Sequence, residues 1–386
     1  MWKSYSKNSP QPRSACGHVV YNNKLYIFGG LLSREDCDNS MYTFDLATKK
    51  WEKLEVTGDV PKERSLPGLI LGNDDKLYCY GGFGDYQPVY EMFNDLYCFD
   101  LKKNKWTQIE LPENSPKMFA HNMMFDSENN LIYTYGGHCV TEGMETFASP
   151  LCSEIHCINL KDSTVTKIKP KSEKNPKVRM SASACLVDGH IFVYGGGTGY
   201  TGLEDTLDDM WKFEIESSKW EQIEYTGNSP RKNRASNFVH FTWDSKPKLM
   251  SFGGIYEKRG EIAINNDFYI YDLQDSVWEK VGLTMKDIRK NKAPYPRYSH
   301  ASFLFTDEEE QMWFGLYGGW AGRWDSFLGD TKLIPLKTIM EMERIVMKTE
   351  KEKEKKEEKK EKEEEKEEEI EEELKELEKK EKTDKK

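Results

Sequence analysis

Three groups of side chains have the types and spacing to do chemistry. The first is a set of thiols and imidazoles: His138, Cys139, Cys152, His156 and Cys157. Such groups ligate zinc. Their spacing fits no familiar zinc pattern, however, and alternation along a strand sends residues 156 and 157 to opposite faces. Free thiols and a packed histidine are therefore expected, with no resident metal. The second is an acidic run, Glu204, Asp205, Asp208 and Asp209, read as a solvated loop. The third is a series of arginines, Arg13, Arg64, Arg179, Arg234 and Arg297, whose planar guanidinium groups suit bidentate contact with carboxylates or phosphate. The glycine-rich stretch Gly195-Gly196-Gly197-Thr198-Gly199 is not followed by a helix. No phosphate-cradling loop or nucleophile elbow is present. No catalytic residue and no cofactor are expected.

The elements that would position these groups are set by a repeat. Six Gly-Gly pairs, beginning at Gly29, Gly81, Gly136, Gly195, Gly253 and Gly318, recur every 52 to 65 residues. Each closes a short aromatic, β-branched run such as Leu25-Tyr26-Ile27-Phe28 or Ile191-Phe192-Val193-Tyr194. A variable loop follows, then a third strand often opened by Asp, as at Asp95 and Asp267. A fourth strand then carries Trp51, Trp106, Trp220 or Trp278, with Val165 in that place in the third unit. A period of this length marks a repeat architecture in which neighbouring units bury each other's faces. The sixth unit has no strand after residues 330–335. The N-terminal run Met1-Trp2-Lys3-Ser4-Tyr5-Ser6 matches the missing strand and is expected to close the ring, removing its open sheet edges.

The double glycines, spaced aromatics and tryptophans resemble the kelch family across roughly residues 1–335. The resemblance implies an all-β, six-bladed β-propeller with four antiparallel strands per blade. It also raises two enzyme types that carry this fold. Copper-radical oxidases need a Cys–Tyr cross-link and two His ligands, a set that the seven histidines here do not supply. Nitrile-specifier proteins carry a Glu-x-x-x-Asp-x-x-x-His iron motif; here Glu204-x-x-x-Asp208 is followed by Lys212. The chain is similar to short, kelch-only intracellular proteins. No BTB or F-box segment is expected ahead of the repeats.

Strand parity in a four-stranded blade places the second-to-third loops and the connections between blades on one side. That face gathers residues 31–40, 83–94, 138–152, 197–208, 255–265 and 320–329. Long loops on a rigid frame are where binding tends to reside. Tyr86, Tyr90, Tyr200, Tyr256, Trp320, Arg323 and Trp324 belong to the types enriched at binding hot spots. The five arginines are expected near the channel mouth, and two readings stand: they bridge adjacent blades through Asp or backbone carbonyls, or they contact a ligand directly, since some kelch proteins bind acidic peptides around such residues. The expected function is a non-enzymatic interaction scaffold or adaptor that captures another protein, an acidic peptide segment in particular. The alternative is an enzyme, or a small-ligand or metal-binding propeller, working at the channel mouth with the arginines, His121 or His300, and the loop carboxylates.

Composition bounds the rest. The net charge is −11 and hydrophobic residues make up 37% of the 386, which argues against nucleic acid as a partner. No apolar run approaches the ~18 residues of a membrane span. The thiols show no secreted disulfide framework, so a cytoplasmic protein is expected. Residues 336–350 read as an amphipathic helical linker through Leu336, Ile339, Met342 and Val346. Residues 351–386, with 14 Lys against 18 Asp or Glu, read as a charged helix or a disordered tail. A short coiled-coil contact, with weak helical association, would run through Ile370, Leu374 and Leu377.

Overall fold

Alternating aromatic and β-branched residues, punctuated by tight turns, fold into six antiparallel sheets. The computed structural model describes residues 2–33, 35–84, 91–140, 150–199, 206–258, 261–282, 293–322, 326–342 and 344–345. The chain divides into two units, Met1–Arg344 and Ile345–Lys386. The first is the propeller. The charged segment 351–386 lies outside the described residues.

Blade one runs Gly17–Tyr21, Lys24–Phe28, Met41–Asp45, Lys50–Lys53 from the axis outward. The four blades that follow repeat this order, ending with Asn237–Trp243, Lys246–Phe252, Phe268–Asp272 and Val277–Val281. Blade six takes Ala301–Thr306, Met312–Tyr317 and Thr331–Pro335 from the end of the ring. Its outer strand is Lys3–Tyr5, antiparallel to Thr331–Pro335 with Lys3 opposite Leu333. The ring is closed as the repeat implied.

Each outer-strand tryptophan reaches back to an aromatic of the preceding blade: Trp106 to Phe28 at 4.9 Å, Trp220 to Tyr135 at 5.2 Å, Trp278 to Tyr194 at 5.1 Å. Trp51 lies 4.7 Å from Tyr317, and its indole N–H donates to Thr331 Oγ1 at 3.1 Å. Trp2 plays the same part for blade six, stacked on Phe268 at 5.8 Å. Large apolar bodies shared across each seam supply the burial that no blade achieves alone. In blade three Val165 packs against the cluster holding Tyr78 and Tyr80.

The double glycines are required twice over. Both members of the Gly195-Gly196 pair have positive φ, +63° and +96°, a conformation glycine adopts without strain. A Cβ on Gly195 would also lie 2.5 Å from the Asn233 carbonyl oxygen. The second glycine's N–H then donates to that carbonyl at 2.9 Å.

The linker differs from expectation. Its helix spans only Leu336–Met340, with Leu336 and Ile339 buried among Trp2, Phe314 and Ile334. Arg344 ends it: the guanidinium donates to the carbonyls of Ile339, Met340 and Met342 and pairs with Glu279 at 2.8 Å. Residues 344–345 are strand rather than helix, and 346–350 lie outside the described residues.

Candidate functional site

The connections between blades lie against the residues that follow each Gly-Gly pair. Ser14 bridges Leu31, Ser65 bridges Phe83, Met180 bridges Gly197, Arg234 bridges Ile255 and Tyr298 bridges Trp320. Long loops and connections therefore share one face.

Four of the five arginines of those connections do not reach the surface of that face. Arg13, Arg64, Arg179 and Arg297 are all fully buried. Each side chain donates to the carbonyl of the first glycine of its own blade: Gly29, Gly81, Gly195 and Gly318, at 2.9–3.0 Å. Each also pairs with an aspartate ahead of its third strand: Asp95 at 2.6 Å, Asp209 at 2.7 Å and Asp330 at 3.0 Å immediately before it, and Asp38 at 2.6 Å two residues further back. The backbone of the same residue belongs to the blade before, as where Gly30 N–H donates to the Arg64 carbonyl at 2.9 Å. Each arginine is thus a rivet through two blades. A buried guanidinium is tolerated because its donors are committed to carbonyls and a carboxylate. The expectation that these four present themselves to an acidic ligand is corrected by that commitment. Burial raises the Asp209 carboxyl, but the hydrogen bonds and charge of Arg179 outweigh it and hold the carboxyl below its ordinary value. Asp38 beside Arg13 and Asp330 beside Arg297 are likewise held low against burial.

Arg234 is out of register with the other four. Two residues beyond each rivet stands a non-glycine residue with positive φ: Ala15, Leu66, Ala120, Ser181, Ala235 and Ser299, all between 49° and 60°. Counting back, the fifth blade's rivet is Asn233 and the third blade's is Met118. Asn233 Nδ2 donates to the Gly253 carbonyl at 3.1 Å, a neutral version of the arginine contact. Arg234 is half-buried, its Nη1 3.4 Å from the Gly199 carbonyl. Where the rivet is not arginine, the third-strand carboxylate takes a lysine from the outer strand: Glu154 pairs with Lys167, and Asp267 with Lys280 at 2.5 Å.

Tyr256 is half-buried under the Arg231 guanidinium, 5.7 Å from the ring centre. Trp320 lies stacked between Tyr298 at 5.7 Å and Phe327 at 5.1 Å. Tyr86, Tyr90, Tyr200, Arg323 and Trp324 lie outside the described residues. Residues that sequence reasoning passed over are the more exposed ones. Among the described residues the exposed large hydrophobics are Val60, Val178, Ile262 and Tyr295, every one on a connection or long loop of this face. Tyr295 carried a signal: Pro294 and Pro296 flank it and hold the segment extended. A Cβ on Gly322 would lie 2.2 Å from Ile264, so the loops of blades five and six adjoin.

The axis is a channel of about 550 Å³ walled by the innermost strands, with His18, His121, His300, Cys16 and Cys185 in its lining. His121 and His300 have no hydrogen-bond partner on either ring nitrogen. Burial lowers both, His121 to about 4, so they are neutral imidazoles. His18 Nε2 contacts the Ser302 carbonyl at 3.1 Å.

The thiol and imidazole group divides. His138 stacks flat on Phe119 at 4.2 Å, and Cys157 lies on the opposite strand face to His156. Cys139 and His156 do come together, with Glu154 as the third member, and Cys152 is in hydrogen-bond contact with Cys139.

A closed wheel of six sheets with glycine-gated seams defines a kelch-type β-propeller. The chain belongs to that family: the KLHDC2/KLHL20/DRC7 Kelch-repeats domain model matches residues 1–137 and 84–319. It is 28% identical to N-(sulfonatooxy)prop-2-enimidothioate sulfolyase of Thlaspi arvense, covering 70% of this chain and 80% of that one. It is 26% identical to Kelch domain-containing protein 3 of Rattus norvegicus over 68% and 67% of the two chains. For Kelch domain-containing protein 10 of Xenopus tropicalis the figures are 27%, 58% and 53%. The solved structure titled "Structure of YjhT" aligns over 88% of this chain and 98% of its own with a TM-score of 0.62 at 15% identity, a likeness of fold. Among the described residues no helix is long and apolar enough to cross a membrane.

Proposed function

We propose that this propeller is a non-enzymatic interaction module that docks another protein on its long-loop face, over the sector of blades five and six. One observation carries the reading. Ile262 and Tyr295 are 65% and 62% exposed, and each belongs to the same loop system as the stacked Tyr298, Trp320 and Phe327. Aromatic and apolar side chains held by a rigid frame have the composition of binding hot spots. With the arginine rivets buried, the partner is recognised by apolar and aromatic contact rather than by a ring of guanidinium groups. The cytoplasm is the compartment we assign: all eight cysteines are free thiols, which a reducing environment preserves.

The test is proximity cross-linking in cells followed by affinity capture, comparing the native chain with Ile262→Asp/Tyr295→Ala. Both sites are exposed, so the melting temperature should hold while the captured set is lost. An unchanged set would overturn the reading. The second reading, a small ligand or substrate in the axial channel, is favoured by the unpartnered His121 and His300 and by the sulfolyase relative. It requires His121→Phe to abolish function while leaving capture intact.

A further inference from the structure

Blade three lacks the cation that four other blades build in. In blades one, two, four and six a guanidinium spans the carbonyl of the first glycine and the carboxylate of the third strand. In blade three Met118 stands at the arginine position. The Gly136 carbonyl accepts instead from the Cys152 thiol at 3.4 Å, and Glu154 occupies the register of Asp95, Asp209 and Asp330, as the bonds from Gly81, Gly136, Gly195 and Gly318 to those residues show.

Around that position the chain gathers soft and borderline donors. Cys152, Glu154 and His156, at alternate positions leading into the strand Ile155–Asn159, all line one cleft. Cys139 arrives from the strand His138–Val140 and is in hydrogen-bond contact with Cys152. The donor atoms of Cys139, Glu154 and His156 lie within 4.8 Å of one another. Ligands on a tetrahedral Zn²⁺ at about 2.0–2.3 Å stand roughly 3.3–3.8 Å apart, so a contraction of about 1 Å would bring these three together, and Cys152 would join them by turning from the Gly136 carbonyl. His156 is 4% exposed, yet its Nδ1 has no partner and its Nε2 lies 3.5 Å from Glu154 Oε2. A buried imidazole left without a good hydrogen bond on either nitrogen is costly unless something else binds it. A cleft of about 540 Å³, lined by these residues and Lys167, gives access from solvent.

We propose that Cys139, Cys152, Glu154 and His156 form a binding site for a divalent metal of the zinc type, placed where four of the other blades hold a guanidinium. Two thiolates with an imidazole and a carboxylate suit Zn²⁺ and exclude the hard, all-oxygen cations. Lys167 contacts Glu154 through Oε1 while Oε2 faces His156. The carboxylate therefore bridges lysine and metal, and the lysine, 58% exposed, can also swing clear.

The test is titration of the full chain, in reducing buffer, with Co²⁺ alone and then Zn²⁺. The expected result is one Co²⁺ per chain, a thiolate-to-cobalt charge-transfer band, and loss of that band when Zn²⁺ displaces it. Cys139→Ser and His156→Asn should each weaken binding by about 100-fold or more, as loss of a direct ligand exceeds the effect of its outer partners. Glu154→Gln, isosteric and half-exposed, should weaken binding while melting like the metal-free native chain, separating loss of the site from loss of the fold. Absence of the band would overturn the proposal. So would a band of full strength in Cys139→Ser/Cys152→Ser, or a Cys139–Cys152 disulfide in a chain that binds no Co²⁺ once reduced.

Discussion

Replacing Arg179 by Met tests the rivet directly, because Met118 shows that the fold accepts methionine at this position. Arg179 donates to Lys177 O at 3.1 Å, Gly195 O at 2.9 Å and both oxygens of Asp209 at 2.7 and 2.9 Å. Its removal strands a carboxylate and a carbonyl in a seam that water barely reaches. Breaking a buried pair in this way costs about 3–5 kcal/mol. Asp209 keeps the Trp211 indole N–H at 2.6 Å, so the lower part of that range, roughly 3–4 kcal/mol, applies. An unfolding entropy of about 2.1 cal/mol/K per residue over the Met1–Arg344 unit gives ~0.7 kcal/mol/K. The melting temperature should therefore fall by roughly 4–6 °C. The same register supplies a rescue. In blade three the lysine that meets the carboxylate stands opposite His156, and its counterpart in blade four is Gln222, opposite Trp211. Gln222→Lys in the Arg179→Met background should recover about 1 °C, as a half-exposed pair contributes ~0.5–1 kcal/mol. Calorimetry at neutral pH reads both shifts, with unfolding rates replacing them if the melt is irreversible. A fall under about 1 °C for Arg179→Met, or no recovery from Gln222→Lys, would refute the rivet.

Deleting residues 1–6 removes Trp2 and uncovers the edge of Thr331–Pro335. Loss of the buried indole alone costs about 3–5 kcal/mol, so the melting temperature should drop by at least ~4 °C, and an unchanged value would refute ring closure. Stability should also decline on acidification. His300 is held below its ordinary 6.5 first by burial and then by the Arg297 and His18 charges, so the unfolded chain binds the proton first. The neutral ring's stabilisation is complete above pH 6.5 and is lost as pH falls below it. Asp38, Asp209 and Asp330 add a second loss lower down, beginning near the ordinary carboxylate value of 3.8 as pH falls toward their depressed values. Melting curves of His300→Asn should be flatter between pH 6.5 and 4 than those of the native chain; equal slopes would assign the acid loss elsewhere.

Those features of the fold that only one residue type can satisfy were legible in the sequence. Two consecutive positive-φ positions beneath a neighbour's carbonyl leave glycine as the residue that fits, so six Gly-Gly pairs announce six seams. Trp2 is legible as a displaced outer-strand tryptophan because Pro10 and Arg13 follow it much as Pro61 and Arg64 follow Trp51. Of the two readings open to the arginines, the blade-bridging one holds for Arg13, Arg64, Arg179 and Arg297, and the ligand-contact one does not. Their burial had a readable counterpart: Arg13, Arg64, Arg179 and Arg297 each find an Asp 25 to 33 residues onward. Arg234 misled by one position because Asn233 supplies the carbonyl contact with an amide, and a neutral residue does not stand out in a charge pattern. The linker helix was over-extended since apolar spacing continues through Met342, whereas Arg344 consumes the carbonyls that a longer helix would need. Nothing in the sequence marks Glu154 as a neighbour of the thiols and imidazoles, because carboxylates are common in loops. Only the seam geometry shows that this one lacks its arginine.

The distribution of rivets also bears on where function can reside. Four blades hold a guanidinium at the seam, and those seams cannot change without stranding a carboxylate. Blades three and five have released that constraint: Met118 and Asn233 carry no charge, and Lys167 and Lys280 meet the carboxylates from outside. Blade three uses the vacated position for a cluster of thiols, an imidazole and a carboxylate. Blade five carries Tyr256 and Ile262 on the loop that adjoins Trp320 and Phe327. A residue freed from holding the frame can be selected for what it binds, and departures from a structural rule concentrate at working sites for that reason. The two blades that break the arginine pattern are therefore the places where this propeller's own chemistry, as distinct from the family's architecture, is to be sought.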